Sequence, residues 1–288
     1  VEGFALMVAG MDVFDAICHS LTTMPTGGFS TKNASIGHYD SLGIHYIIIF
    51  FMFLAGINFS LHFRAISGDF KSYIKDREFL VYLSGIIVVT SVIFLAIAVQ
   101  SSHFSGLNFR ESLFATVSIM TTTGFGSADY EMWPAVVQVI LLSLMFVGGM
   151  GGSTAGGMKV IRCMLLVKYA ALETRRVLHS RALIPVRIGN QLVIEDVVRN
   201  TLGFFLFFMS AFVISTIVLA ANGLDVESAI GAAASAMGNI GPGLNQFGPT
   251  DNYALLSDPG KWILTFCMLL GRLEIFTVMV LFSRTFWK

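Results

Sequence analysis

Five apolar segments long enough to cross a bilayer, at about 42–61, 79–100, 133–172 with an interruption, 198–221 and 260–283, limit this chain's folds more than any motif in it. A crossing needs roughly 20 helical residues, and its backbone must satisfy its own hydrogen bonds, so the expected elements are helices. Three further segments, near 12–24, 109–121 and 226–237, are apolar or rich in small residues. At about a dozen residues each they are too short to cross and fit re-entrant half-helices. Composition agrees: with 55% apolar and 12% charged residues and a mean hydropathy of +0.75, the chain holds more apolar material than a soluble globule can cover. The balanced net charge says nothing about an acidic or basic partner.

The short segments repeat. Aligning Gly28, Gly124 and Gly241, at spacings of 96 and 117 residues, puts Asp15, Glu111 and Ser228 each thirteen residues upstream. It also superposes Thr26-Gly27-Gly28-Phe29-Ser30, Thr122-Thr123-Gly124-Phe125-Gly126 and Asn239-Ile240-Gly241-Pro242-Gly243. The unit is a spanning helix, a half-helix, a glycine-bearing loop and a second spanning helix, and a repeat of this kind defines the architecture. Three unrelated glycine-rich turns would not repeat their placement relative to the long segments. In the middle copy, Thr121-Thr122-Thr123-Gly124-Phe125-Gly126 suits backbone used as ligand, because glycine permits the conformations that turn successive carbonyls toward one axis. Alone, such a hexapeptide is an ordinary turn.

Lysine and arginine orient the units. The loop at 62–78 carries Arg64, Lys71, Lys75 and Arg77, and 159–196 carries Lys159, Arg162, Lys168, Arg175, Arg176, Arg181 and Arg187. The other side has Lys32, Arg110 and Lys261, so the basic loops are expected in the cytoplasm and all three glycine loops outside. Outside, Asp40, Glu111, Asp129, Glu131, Asp225, Glu227, Asp251 and Asp258 predict a negative vestibule that concentrates cations. The basic 159–196 region interleaves no aromatic readout and abuts the membrane, which favours anionic lipid or a cytosolic protein over nucleic acid.

Six glycines interrupt the longest apolar stretch between Gly148 and Lys159. It is no phosphate-binding P-loop, since Lys159 lacks the required neighbours. At about 1 kcal/mol per glycine relative to alanine, the stretch should unwind, and unwound backbone at membrane depth needs protein or a water-filled cavity beside it. We expect a flexible loop beneath the glycine loops, a candidate gate; a small-residue packing face is the alternative. Arg272, inside the last apolar segment, should face a cavity or partner, as a barrier to cations or a tether for the glycine loop. Pairing with Glu274 or snorkelling are the alternatives, although two positions along a helix is a different face.

No enzyme is expected, because the histidines at 19, 38, 45, 62, 103 and 179 are scattered and no catalytic pair lies at depth. His19 reads as a satisfied core histidine. Cys18, Cys163 and Cys267 read as isolated thiols, and Phe204-Phe205-Leu206-Phe207-Phe208 as lipid-facing or packing residues. The first eleven residues resemble the tail of a preceding apolar helix and lack a signal peptide's basic start, which predicts a piece of a longer protein.

Several stretches carry a family resemblance: Thr-Gly-Gly-Phe-Ser at 26–30, Thr-Thr-Thr-Gly-Phe-Gly-Ser-Ala-Asp at 121–129, Gly-Asn-Ile-Gly-Pro-Gly-Leu at 238–244, Gly-Gly-Ser-Thr-Ala-Gly-Gly-Met-Lys-Val-Ile-Arg at 151–162 and Gly-Arg-Leu-Glu at 271–274. With them the chain resembles the Trk/Ktr/HKT superfamily of potassium transporters, and within it the bacterial TrkH/TrkG type of potassium-uptake subunit. The resemblance implies an all-α integral membrane fold of M1-P-M2 units around a pseudo-fourfold pore. Of the four units this chain would supply the second at 1–66, the third, with an interrupted M2, at 67–178 and the fourth at 179–288. It implies K+ as the transported ion with no organic cofactor, a homodimer among membrane lipids, a cytosolic TrkA-type nucleotide-binding regulatory ring, and the bacterial cytoplasmic (inner) membrane. It further implies a potassium-binding filter of Thr26, Gly27, Gly28, Thr122, Thr123, Gly124, Asn239, Ile240 and Gly241. The gate loop would be Gly148, Gly149, Gly151, Gly152, Ser153, Thr154, Gly156, Gly157 and Lys159, with Arg272 the arginine below the filter. Sodium-permeable members replace the first unit's filter glycine by serine, so a sodium-permeable or ion-coupled (H+/Na+) symporter remains the alternative. A secondary transporter with inverted repeats would alternate the orientation of its loops, and these three all open one way.

Overall fold

The structure, a computed structural model, describes residues 1–101, 105–178, 185–189 and 191–287. His103, His179 and Arg181 lie outside the described residues. A short helix α1 (Glu2–Val8) precedes the first half-helix, α2 (Val13–Thr23), which leads to α3 (Leu42–Ala55), α4 (Phe59–Ile66) and α5 (Lys71–Lys75). Next come α6 (Arg77–Ser101), the half-helix α7 (Gly106–Met120), α8 (Ala135–Val147) and α9 (Val160–Leu178). A two-residue hairpin, β1 (Arg187–Ile188) paired antiparallel with β2 (Gln191–Leu192), leads into α10 (Glu195–Ala221), the half-helix α11 (Val226–Gly238), α12 (Asp258–Arg272) and α13 (Ile275–Leu281).

Each half-helix begins at a side-chain cap. Asp12 accepts from Phe14 N (3.1 Å), Ser105 from Asn108 N (3.1 Å) and Asp225 from Ser228 N (3.0 Å), each satisfying a donor left over at a helix start. The half-helices are the centre of the molecule. In α11 the run from Gly231 to Gly238 is buried throughout, and its alanines and glycines let α10, α12 and α8 pack closely around it. In α7 every residue from Phe114 to Met120 is buried. The long helices lie outside them: only 28% of the apolar window of α6 and 22% of that of α10 is buried, leaving Ile87, Val88, Leu95, Leu206, Ile214 and Ile217 exposed. Apolar surface turned outward on this scale is the pattern of a protein solvated by lipid.

Two expected crossings are not continuous. The 42–61 segment bends by 101° between α3 and α4, and the 260–283 segment bends by 112° between α12 and α13. At the first break the Gly56 carbonyl accepts from Met150 N (2.9 Å), and Asn58 caps α4 through Ser60 N (2.8 Å). At the second, Glu274 takes φ +59°, which no α-helix contains. Among the described residues, two helices are long and apolar enough to cross a membrane, or four if each bent pair counts as one. With α8 and α9 separated by the 148–159 loop, the outer helix of all three units is broken after its first half. Arg272 accordingly closes α12 at a bend and does not sit within a longer helix.

Candidate functional site

The three glycine loops share one backbone conformation. Thr26, Thr122 and Asn239 have φ of 55°, 56° and 56°, and Gly28, Gly124 and Gly241 have φ of 64°, 82° and 119°; the residue between, Gly27, Thr123 or Ile240, is not in the positive range. This alternation in the sign of φ turns successive carbonyls to the same side, whereas a strand alternates them. The loops also touch one another in order. A Cβ on Gly28 would run into the carbonyl oxygen of Thr123, and one on Gly124 into that of Ile240, so a carbonyl of the next loop abuts each of these glycines and no side chain fits there.

Threonine in the left-handed region costs on the order of 1–3 kcal/mol, so it persists only when its surroundings hold it. Those surroundings are the 148–159 loop. Thr26 Oγ1 donates to the Thr154 carbonyl (2.9 Å), Thr122 Oγ1 accepts from Gly156 N (2.6 Å), and Gly156 approaches the Gly238 carbonyl so closely that a Cβ there would collide with it. Thr154 Oγ1 adds bonds to the Met24 (2.9 Å) and Ala55 (3.1 Å) carbonyls. The loop leaves α8 at Gly148 (φ 77°), and Gly149 accepts from Val160 N (2.9 Å), so its two ends meet. Ser153 and Ala155 both offer carbonyls to Lys159 Nζ. Gly152, Ser153, Thr154, Gly157, Lys159 and Arg272 are among the residues that line a cavity of about 290 Å3. Arg272 Nη1 donates to the same Thr154 carbonyl that receives Thr26 (2.9 Å). Glu274 instead pairs with Arg162 (2.8 Å), whose guanidinium lies over the Phe204 ring, 4.2 Å from its centroid. All the expected site residues are thus assembled in two adjoining layers, the glycine loops and the loop pressed against them.

Residues not singled out in the sequence complete the scaffold. Six positions before each aligned glycine stands a hydroxyl: Thr22 Oγ1 donates to the Phe29 carbonyl (2.8 Å), Ser118 Oγ to the Phe125 carbonyl (2.7 Å), and Ser235 Oγ accepts from Gly241 N (3.0 Å). The alignment contains that register, one column among many hydroxyl-rich ones. At the thirteen-residue position, Asp15 accepts from Thr31 (2.7 Å), Tyr39 (2.7 Å) and Lys32 (3.0 Å), and Ser228 Oγ accepts from Gln246 N (3.3 Å). Both tie a half-helix to the chain leaving its glycine loop. Glu111 lies 3.9 Å from Arg110. Tyr253 OH donates to the Gly241 carbonyl (2.9 Å) and Tyr130 OH to the Gly243 carbonyl (2.7 Å).

The remaining expectations divide. His19 is fully buried, bonded through Nδ1 to the Asp15 carbonyl (2.7 Å) and through Nε2 to Ser30 (2.9 Å), a satisfied core histidine. Cys18, Cys163 and Cys267 are free thiols. Phe204 and Phe208 are packing residues while Phe205 and Phe207 are exposed. Of the acidic residues expected outside, Asp258 lies 3.7 Å from Lys261, and Asp225 accepts from the neutral amides of Asn245 (3.0 Å) and Gln246 (3.0 Å).

The TrkH family, described as cation transport proteins, matches residues 5–288. The Trk system potassium uptake protein TrkH of Escherichia coli K12 is 40% identical over 288 residues, covering 99% of this chain and 59% of its own length. The Trk system potassium uptake protein TrkG of the same organism is 36% identical over 98% of this chain and 58% of its own. The crystal structure of the potassium transporter TrkH from Vibrio parahaemolyticus superposes with a TM-score of 0.93 at 40% identity, over 99% of this chain and 62% of that one. The chain therefore spans about three fifths of the length of the curated relatives it matches.

Proposed function

Because the chain belongs to the TrkH family of cation transport proteins, we propose that it supplies three filter loops of a potassium-uptake pore and the loop that gates it. The observation that carries this is the φ alternation at Thr26-Gly27-Gly28, Thr122-Thr123-Gly124 and Asn239-Ile240-Gly241, with a carbonyl of the next loop abutting Gly28 and Gly124 too closely for a side chain. Such oxygens can replace the hydration shell of a potassium ion. The half-helices end at these loops, so their negative dipole ends add to the attraction for a cation. Below, the 148–159 loop and Arg272 stand across the exit, and release of the loop would open it. The units are 1–66, 67–178 and 179–288, with filter loops facing out of the bacterial inner membrane and the basic loops in the cytoplasm. Two relatives are named as parts of a Trk system, which supports assembly with regulatory subunits; a homodimer carrying a TrkA-type cytosolic ring is the form we propose.

Potassium uptake by the full-length protein in a transport-deficient strain, with and without Gly124→Ser, tests the filter. The added side chain would displace the Ile240 carbonyl. Selectivity for K+ over Na+ should fall by about 10-fold or more, the equivalent of one lost ligand at ~1.4 kcal/mol. Unchanged flux and selectivity would show that these loops are not the filter.

A further inference from the structure

We infer that Glu78, in the first turn of α6, is the latch that holds the 148–159 loop in place, a role that rests on the proposal that this loop is the gate. Glu78 Oε1 accepts from Gly151 N (2.6 Å) and from Ile161 N (3.1 Å). A single carboxylate oxygen thereby joins the glycine-rich loop to the first turn of α9, in addition to the bonds that Thr26, Thr122 and Arg272 make to the loop. The Ile161 amide is one of the donors that a helix start leaves without an intrahelical partner, and a carboxylate is the strongest acceptor the chain can offer it.

Glu78 holds the loop from the side away from the filter. Thr26 and Thr122 bind it at Thr154 and Gly156, whereas Glu78 binds it at Gly151 and just beyond its end. The 290 Å3 cavity that contains Arg272 does not include Glu78. The carboxylate instead lines a separate polar cavity of about 540 Å3, with Lys75, Asp76, Arg77, Ile161 and Gly189. Rearrangement of α9 or of the β1–β2 turn against α6 can thus reach the latch without disturbing the filter. Removing the acceptor frees two amides of a segment whose glycines leave it many alternative conformations. Glu78 is accordingly a positioning residue: it touches no ion and acts on flux through the loop.

Potassium flux should be measured for the full-length protein carrying Glu78→Ala, Glu78→Gln, or deletion of 148–157, alongside the unaltered protein. Glu78→Ala should raise maximal flux about 10-fold, the effect of losing a charge-assisted hydrogen bond to backbone, with half-saturating K+ unchanged because the filter is untouched. Glu78→Gln keeps an oxygen at the same place and should remain within about twofold of the unaltered protein. If Glu78→Ala reaches the membrane at normal abundance and leaves maximal flux unchanged while the deletion raises it, the latch is wrong and the gate stands. If neither raises flux, the loop is not a gate and the latch falls with it. Should Glu78→Ala fail to accumulate, Ile161→Pro removes one latched amide at a position where a helix tolerates proline. Raised flux there supports the latch, and unchanged flux overturns it.

Discussion

Glu131, in the loop between α7 and α8, shows how one side chain's surroundings set a measurable property of the whole protein. Its Oε1 is buried against the Gly248 backbone without a hydrogen-bond partner among the described residues. Burial pushes its carboxyl up to about 7 from an ordinary 4.5, and the nearby carboxylates Asp129, Asp251 and Glu227 push in the same direction. Below about pH 4.5 both folded and unfolded chains are protonated at this site, so it has no effect on stability. Between about 4.5 and 7 the unfolded chain gives up its proton while the folded one keeps it, so stability falls as pH rises and the loss is complete above about 7. Glu131→Gln removes this penalty. The variant should melt on the order of a few degrees above the unaltered protein at pH 8 and level with it at pH 4, measured on the full-length protein in detergent. A difference independent of pH would mean that the ionisation of Glu131 is not what separates the two proteins.

A half-helix and its loop behave as one element, because side chain and backbone of the helix's last turns hold the loop. The Ser118 carbonyl accepts from Thr123 N (2.9 Å) and Gly124 N (3.3 Å), while Ser118 Oγ reaches on to the Phe125 carbonyl. Ser118→Ala leaves that buried carbonyl unpaired at about 1–3 kcal/mol, which should raise half-saturating K+ severalfold as the loop loosens. Ser118→Thr, the residue type at the equivalent Thr22, should restore affinity; equal loss in both variants would point to packing and not to the hydroxyl. At this scale much of the molecule was legible in the sequence. Half-helix length, the shared glycine register and the glycine-rich interruption each follow from local composition, and α2, α7, α11 and the 148–159 loop lie where that composition puts them. The bends after Ala55 and Arg272 were not legible, since Gly56 and Asn58, or Arg272 and Glu274, lower the hydropathy only locally and a polar residue in an apolar segment does not by itself name a bend. The Gly56 break is stabilised from outside, by Met150 N on the Gly56 carbonyl and by Phe59 N on the Gly152 carbonyl (3.1 Å), partners roughly 90 residues away that no local pattern names. Glu78 escaped for the same reason: in sequence it is one acidic residue beside a basic loop, and it gains a role only when Gly151 and Ile161 fold onto it.

Across the molecule, the 148–159 loop meets the first two glycine loops at Thr26 and Thr122 and the end of α11, where the third begins, at Gly238, and Arg272 binds it at Thr154. Thr154 is the shared point, its carbonyl receiving both Thr26 and Arg272. If the loop gates as proposed, its anchors hold the assembly shut only while they act together, so weakening one should shift the balance without dismantling the proposed filter. Arg272→Ala does two things at once: it removes an anchor from Thr154 and takes a positive charge out of the cavity below the glycine loops. A unit charge several ångströms from a passing cation, in surroundings with an effective dielectric constant near 20, opposes it by about 2–3 kcal/mol before water and salt screen it. Both changes favour flux, which should rise on the order of 10-fold, and more steeply at low ionic strength because screening already masks the charge at high salt. Arg272→Lys keeps the charge but loses the planar donor, so it should recover the salt dependence and leave the anchor weak. Flux that is unchanged in Arg272→Ala, at normal abundance in the membrane, would mean that neither the charge nor the Thr154 contact limits conduction, and that the arginine serves only to close the end of α12.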